Sequence, residues 1–315
     1  MSGFMSNNTD HLTRANLWST DLKELLEADL MGMQFVDMIT DFPDGDTLNI
    51  PSIGQAEVLD YDEGQAIRYT AMDTGNFTFS ITDYKASATY ITNKQKQDSY
   101  VSGQLISSFV PKQRRAIMAA IEQSIMDLGP NAQTASQLNT INGAAHRFVA
   151  GGASAAITLA DFAKARYALD KAFVPQTQRV AIISPEAEYT LNTLTSLVNV
   201  SNNPMWEGVI TSGLSTGLRF SKSIYGFDVY VSNFLKPIAS ETINSVSVTN
   251  GVANLFFSAA ADVKPFVGSL RQPPKVDSEY NKDLQRDEYV TTCRYGFKLY
   301  RPENMVVCLS AGTVA

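Results

Sequence analysis

Gly213-Leu214-Ser215-Thr216-Gly217 carries the letters of the Gly-x-Ser-x-Gly nucleophile elbow. An elbow lifts its serine on a sharp turn between a strand and a helix, so the flanking residues decide. Here the flanks are Ile210 and Arg219-Phe220 in a Ser/Thr-rich loop, and a triad would have to recruit its histidine from upstream. The chain has two histidines, His11 and His146, which read as an arm and a loop residue rather than general bases. Two cysteines, Cys293 and Cys308, fit neither a disulfide scaffold nor a structural zinc site, which needs four ligands; they read as core residues of strands. The acid pairs Asp44/Asp46 and Asp60/Asp62 could hold calcium weakly, but no twelve-residue EF-hand loop surrounds them, and they read as solvated turn acids. No phosphate-cradling or dinucleotide glycine loop and no zinc-protease motif occurs. The reading assigns no catalytic, cofactor-binding or metal residue, and the chain is not expected to be an enzyme.

Composition narrows the classes further. The 315 residues are 44% hydrophobic, 18% charged and 10% aromatic, a composition that folds without disulfides. The formal charge of -7 excludes a basic wrapper of nucleic acid, because binding to phosphates needs a positive footprint. No apolar run is long enough for a membrane helix, and Asp10 and His11 sit where a signal peptide would be apolar. The expectation is a protein made and assembled in a cytoplasm, with no membrane partner.

Charge is unevenly spread. Asp21 to Glu63 holds 12 acids and one base, Lys23, whereas Lys85 to Arg115 holds six bases and one acid, Asp98. Blocks of opposite sign suit either partners, within the fold or between copies, or merely solvated faces. After a polar start, Thr20 caps a short helix whose Leu22, Leu25, Leu26 and Leu30 make one apolar face. From Leu48 to Tyr90 the text is strand-like and thinly apolar. Ile67, Tyr69 and Ala71 alternate with polar residues, as do Phe77, Phe79 and Ile81, with turn signals at Tyr61–Gly64 and Asp73–Asn76. A two-stranded ribbon of this kind is marginal alone and must rest on something. It could equally be an ordinary meander of the domain.

Thr92 to Leu128 is the longest helical signal, with Val101, Leu105 and Phe109 on one stripe and Ile117, Ile121, Ile125 and Leu128 on another. Pro111 predicts a kink or a restart, and Gly129-Pro130 a stop. Asn142 to Ala156 reads as a loop. Thr158-Leu159-Ala160-Asp161 is a capping box opening a helix to about Phe173. Arg179 to Ile183 reads as a buried strand, and Ser184-Pro185-Glu186 as a capped helix start. Strands follow at Phe227–Val231, Ser245–Thr249 and Val252–Phe257, with Asn250-Gly251 as a type I′ hairpin turn. Trp206, beside Pro204 and Met205, suits an exposed anchor at a subunit contact or a loop pinned onto its own domain. Asp262 to Glu303, with seven acids and eight bases, reads as a second projecting hairpin interrupted by Pro273-Pro274 and the charged tract Asp277–Glu288. A strand, Met305–Leu309, ends the chain.

Three stretches carry a likeness. Val110-Pro111-Lys112-Gln113-Arg114-Arg115 leads into the second half of a long helix, Tyr225–Asn233 forms a strand ending in asparagine, and Tyr295–Glu303 forms a near-terminal strand. With the order of parts, they resemble the major capsid protein of tailed bacteriophages, the family with the HK97-like fold, in its smaller podovirus-type form. The resemblance implies an α+β fold divided into an N-terminal arm (1–46), an extended loop (47–90), a peripheral domain with spine helix and long hairpin (91–144 and 258–300) and an axial domain (145–257 and 301–315).

The same resemblance implies self-assembly as pentamers and hexamers into an icosahedral shell around packaged double-stranded DNA, bound without sequence specificity, in the virion. Its implied helpers are a separate scaffolding protein, since no long fused scaffold precedes the arm, a portal protein and, optionally, a decoration protein. No cofactor is implied. The extended loop would lie over the neighbouring subunit, so Ile67, Tyr69, Phe77, Phe79 and Ile81 are candidate inter-subunit contacts. Trp206 and the hairpin charges Arg271, Lys275, Lys282 and Arg286 join them. An encapsulin-like compartment shell shares the fold and stays open, as does a head-completion or tail ring protein.

Overall fold

The computed structural model describes residues 31–39, 47–53, 60, 63, 74–98, 102–132, 139–194 and 223–312. The helix read at Leu22–Leu30, His11, Asp44/Asp46, Ile67, Tyr69, Trp206 and the Gly213–Gly217 loop lie outside them. The strands are β1 (Val36–Met38), β2 (Thr47–Ile53), β3 (Thr74–Ser80), β4 (Asp83–Thr92), β5 (Thr140–Ile141), β6 (Ala144–Ala145), β7 (Arg147–Val149) and β8 (Arg179–Ile183), then β9 (Ser223–Ile224), β10 (Phe227–Val231), β11 (Pro237–Ile243), β12 (Val246–Ser258), β13 (Phe266–Asn281), β14 (Arg286–Leu299) and β15 (Val306–Ala311). The helices are α1 (Asn93–Asp98), α2 (Ser102–Met126), α3 (Leu128–Ala132), α4 (Leu159–Lys171) and α5 (Pro185–Thr193).

Two sheets organise the chain. One runs β1-β13-β14-β4, and the long helix α2 packs on it through Ile117, Ile121 and Ile125, spaced four apart on one face. The other runs β7-β15-β12-β8-β10-β9, with β11 paired to β12. One apolar core is shared: Ile121, Ile125, Phe266 and Tyr295 of the first unit meet Ile182, Leu255 and Val307 of the second. On the far face of the second sheet, α4 and α5 press Phe162, Leu169 and Leu191 against Phe227 and Phe256. Phe162, Phe227 and Phe256 meet edge to face, with centroids 5.1 to 6.4 Å apart. Because both faces are covered, β8 and β15 are near-continuous apolar runs rather than alternating ones.

Local signals explain several boundaries. Ser184 caps α5, its Oγ accepting from Ala187 N–H at 3.2 Å. Asp161 receives Thr158 N–H and Thr158 Oγ1–H, both at 2.8 Å, so the box at the start of α4 forms around its carboxylate.

Elsewhere tertiary packing moves the elements. The ribbon expected over Leu48–Tyr90 is shorter in its own pairing: β2 pairs with β3 from Thr47↔Ser80 to Ile53↔Thr74, while β4 leaves it and pairs with β14. Thr74, Gly75 and Asn76, read as turn residues, lie inside β3. Helix α2 passes through Pro111 without a restart, the proline on an exposed position where water can serve the carbonyl left without a donor. Gly129 and Pro130 do not end the long helix; they lie inside α3. A Cβ on Gly129 would stand 3.2 Å from both Leu255 Cδ2 and Met305 Sδ, a tight fit that those side chains would have to shift to accommodate. The stretch read as a loop at Asn142–Ala156 holds β7, buried and parallel to β15. The tight turn with two left-handed residues is Asn244-Ser245 (φ 51° and 65°), between β11 and β12. Asn250-Gly251 instead lies within β12, where a Cβ on Gly251 would stand 2.9 Å from Ser310 O.

Candidate assembly surfaces

The ribbon leaves the body through a small apolar root. Alternation puts Leu48, Ile50, Phe77 and Phe79 on one face of β2–β3, with Asn49, Asn76 and Thr78 on the exposed face. Phe79 and Ile81 are buried against Val267, with Ile39, Leu48, Phe77 and Tyr300 around them. Phe77 meets Tyr300 edge to face at 4.9 Å, and Lys298 Nζ stands 4.7 Å over the Phe77 ring while donating to Thr78 O at 2.7 Å. Gly296 makes the junction possible: a Cβ there would fall 2.7 Å from Ser80 O and 2.9 Å from Ile81 Cα. Phe79 and Ile81, expected at a subunit contact, are therefore core residues of their own chain, and Phe77 is half-buried beside them.

The second surface is the hairpin β13–β14, paired from Phe266↔Leu299 out to Asn281↔Arg286. Its register slips between Leu270 and Lys275, where Pro273-Pro274 cannot donate to the ladder. The charged tract read as an interruption is itself strand, because β4 flanks β14 along ten residue pairs and satisfies its outer edge. Asn93 of α1 closes the tip: its side chain donates to Tyr280 Oη at 2.7 Å and Gln285 Oε1 at 3.1 Å, and its N–H to Gln285 O at 2.9 Å. Lys96 pairs with Asp287.

Of the predicted contacts on this hairpin, Arg271, Lys275 and Lys282 are exposed. Lys275 lies 2.9 Å from Asp277, and Lys282 is in the tip turn. Arg286 is only partly exposed. Its Nε donates to Glu288 at 2.6 Å, and the guanidinium stands 4.4 Å over the Tyr90 ring. The Arg286 bond holds the Glu288 carboxyl below the usual range.

Sequence reasoning missed the outer face of β4, where Tyr84, Ala86, Ala88 and Tyr90 are all exposed, the tyrosines by 61% and 56%. The period-two spacing of these residues was the available signal; assigning the strand to the free ribbon concealed it. Tyr280 and Leu284 add exposed apolar surface near the tip.

The groups first considered for chemistry are placed otherwise. His146 is fully buried, its Nδ1 is 3.1 Å from Ala144 O, and burial lowers its pKa. Cys293 and Cys308 are buried in β14 and β15, and desolvation raises both thiol pKa values, Cys308 the more strongly. Among the described residues no three of His, Cys, Asp and Glu come together as a metal site, and no helix is long and apolar enough to cross a membrane.

An extended ribbon, a projecting charged hairpin and a helix-covered second sheet can be compared with known proteins. A family model described as "Phage capsid protein" matches residues 76–308. The fold is similar to that of a solved chain of Mycobacterium phage Che8, with TM-score 0.72, 18% identity and coverage of 95% of this chain and 97% of that one. It is similar also to the cyanophage Pam1 capsid (TM-score 0.72, 13% identity, 96% and 98% covered) and the cyanophage P-SCSP1u capsid (0.70, 15%, 99% and 98%). No curated protein matches the chain. With the family model spanning the hairpin, helix α2 and the second sheet, this chain belongs to the phage capsid protein family and is a structural capsid subunit with the HK97-like α+β fold.

Proposed function

We propose that this subunit closes with copies of itself, as pentamers and hexamers, into an icosahedral shell around packaged double-stranded DNA. The observation that carries the reading is the β2–β3 ribbon: a separate two-stranded sheet that, among the described residues, meets the body through Leu48, Phe77 and Phe79, and a sheet of two strands needs further support. A ribbon that finds its partner on the next copy couples its own ordering to the lattice. Four separate regions then serve as the arm, the extended loop, the peripheral domain and the axial domain, with the boundaries given above.

Ile67 and Tyr69 on the ribbon, Trp206, and the hairpin residues Arg271, Lys275, Lys282 and Arg286 are the proposed contacts with neighbouring copies. Charged tips of this kind set geometry and reject wrong neighbours more than they add affinity. Modest contacts suffice when each subunit makes several at once. The chain performs no catalysis in this reading, and an acidic inner lining, which the net charge of -7 would allow, avoids gripping DNA that must later leave. Assembly takes place in the host cytoplasm with a separate scaffolding protein and a portal, and a decoration protein is an optional addition.

Negative-stain imaging of the protein expressed with its neighbouring open reading frames tests the proposal. Closed particles of uniform size are expected from that expression, and DNA-filled ones of the same size from the infected host. Single rings, or shells that carry enzymes and no DNA, would contradict it.

A further inference from the structure

Phe173 stands 89% exposed just beyond the end of α4, with φ +59°. That left-handed turn closes the helix: Val174 N–H donates to Leu169 O at 3.0 Å and Phe173 N–H to Asp170 O at 3.2 Å. The position is normally glycine, because a Cβ crowds the neighbouring carbonyl there, and a bulky residue in it is an outlier. The chain thus holds a phenyl ring in water on a strained backbone, where its own core gains nothing from it.

Beyond the other end of α4 lies a groove of about 150 Å³, lined by Ala153, Ser154, Ile157, Ala187, Tyr189 and Thr190 among others. The lining mixes Ala, Ile and Tyr with the hydroxyls of Ser154, Thr190, Thr193 and Ser310, and the volume is that of a space able to admit a benzene ring. The strap along one side of the groove is itself strained, with Ser154 at φ 54° and Ala155 at φ 60°. The charges also match: Lys171 precedes the ring by two residues, and Glu186 and Glu188 flank Ala187 in the first turn of α5. Thirteen residues of α4 hold ring and groove roughly 20 Å apart, so Phe173 does not serve its own groove.

We propose that Phe173 of one copy seats in the 153–157/187–190 groove of the next, edge-on to Tyr189, as a head-to-tail contact repeated around each ring. Knob and socket are different surfaces at opposite ends of one helix. A contact of this type is heterologous, so it propagates around a ring instead of pairing two copies face to face. The inference rests on the shell reading and specifies which surfaces of the axial domain meet.

Hydroxyl-radical footprinting of the wild-type full chain, free and assembled, tests it without any variant. Labelling of Phe173 is expected to fall roughly tenfold in assembled particles, as for a side chain moved into a water-excluded contact. Unchanged labelling in particles seen to be intact overturns the contact and leaves the shell reading standing. Failure to form shells or rings with all neighbouring gene products present overturns both. As a second measurement, a chain carrying Phe173→Cys and Thr190→Cys is treated with a short bifunctional maleimide after assembly. A ladder ending at ring size is expected from the double variant and none from either single variant. A dimer from Phe173→Cys alone shows a face-to-face contact and overturns the proposal.

Discussion

Arg147 on β7 and Glu241 on β11 face each other inside the second sheet, with Nε to Oε1 at 2.8 Å and Nη2 to Oε2 at 2.6 Å and both side chains at most 6% exposed. Two charges withdrawn from water are tolerated only while each serves the other. Arg147→Met alone should lower subunit stability by about 3–5 kcal/mol, and the double variant Arg147→Met/Glu241→Leu should regain most of it, as chemical denaturation of the unassembled subunit would show. His146, one residue before, offers a pH test. Its folded pKa is depressed by burial below the ordinary 6.5. Its neutral form is therefore the one that folding favours, and its contribution is complete above pH 6.5 and lost as the pH falls through the lower folded value. Thermal midpoints of wild type and His146→Gln should diverge least in acid and most above that window; a constant difference across the range would contradict the burial account.

At the scale of elements, the ribbon root is where folding and assembly separate. Phe79→Ala removes a buried ring from the chain's own core and should cost about 3–5 kcal/mol in the free subunit. Gly296→Ala should cost about 1–3 kcal/mol and, more tellingly, redirect the ribbon, because its new methyl meets backbone at Ser80 and Ile81. A variant that folds, by circular dichroism and thermal melting, but gives few shells is the expected outcome. Elements with a purely local cause were legible in the sequence. Arg179–Ile183 is a short apolar run ending at a Ser-Pro-Glu cap, and its bounds follow from those residues alone. Elements fixed by distant partners were not. β4 alternates as a ribbon strand would, and only β14, some two hundred residues later, claims it for the body. The type I′ signal at Asn250-Gly251 was real chemistry in a different service, since Gly251 is needed for the approach of β15. The aromatic face Tyr84/Tyr90 and the exposed Phe173 were hidden for the same reason: exposure is a property of the finished surface.

For the whole molecule, the shared core between the two sheets makes the subunit one body, to which the ribbon joins through its apolar root. The exposed hairpin charges contribute little to that body. Lys275→Glu and Lys282→Glu together should change subunit stability by no more than about 0.5 kcal/mol per site. In the assembly they would reverse charges at a contact, so shell yield should fall and become less sensitive to salt. The central claim is that the ribbon beyond Ile53 and Thr74 is supported by a neighbour. Electron cryomicroscopy of assembled particles, tracing residues 54–73, tests this most directly. The account predicts that this segment lies across an adjacent copy, with Ile67 and Tyr69 against its surface. A trace in which the segment folds back onto the body of its own chain would contradict it.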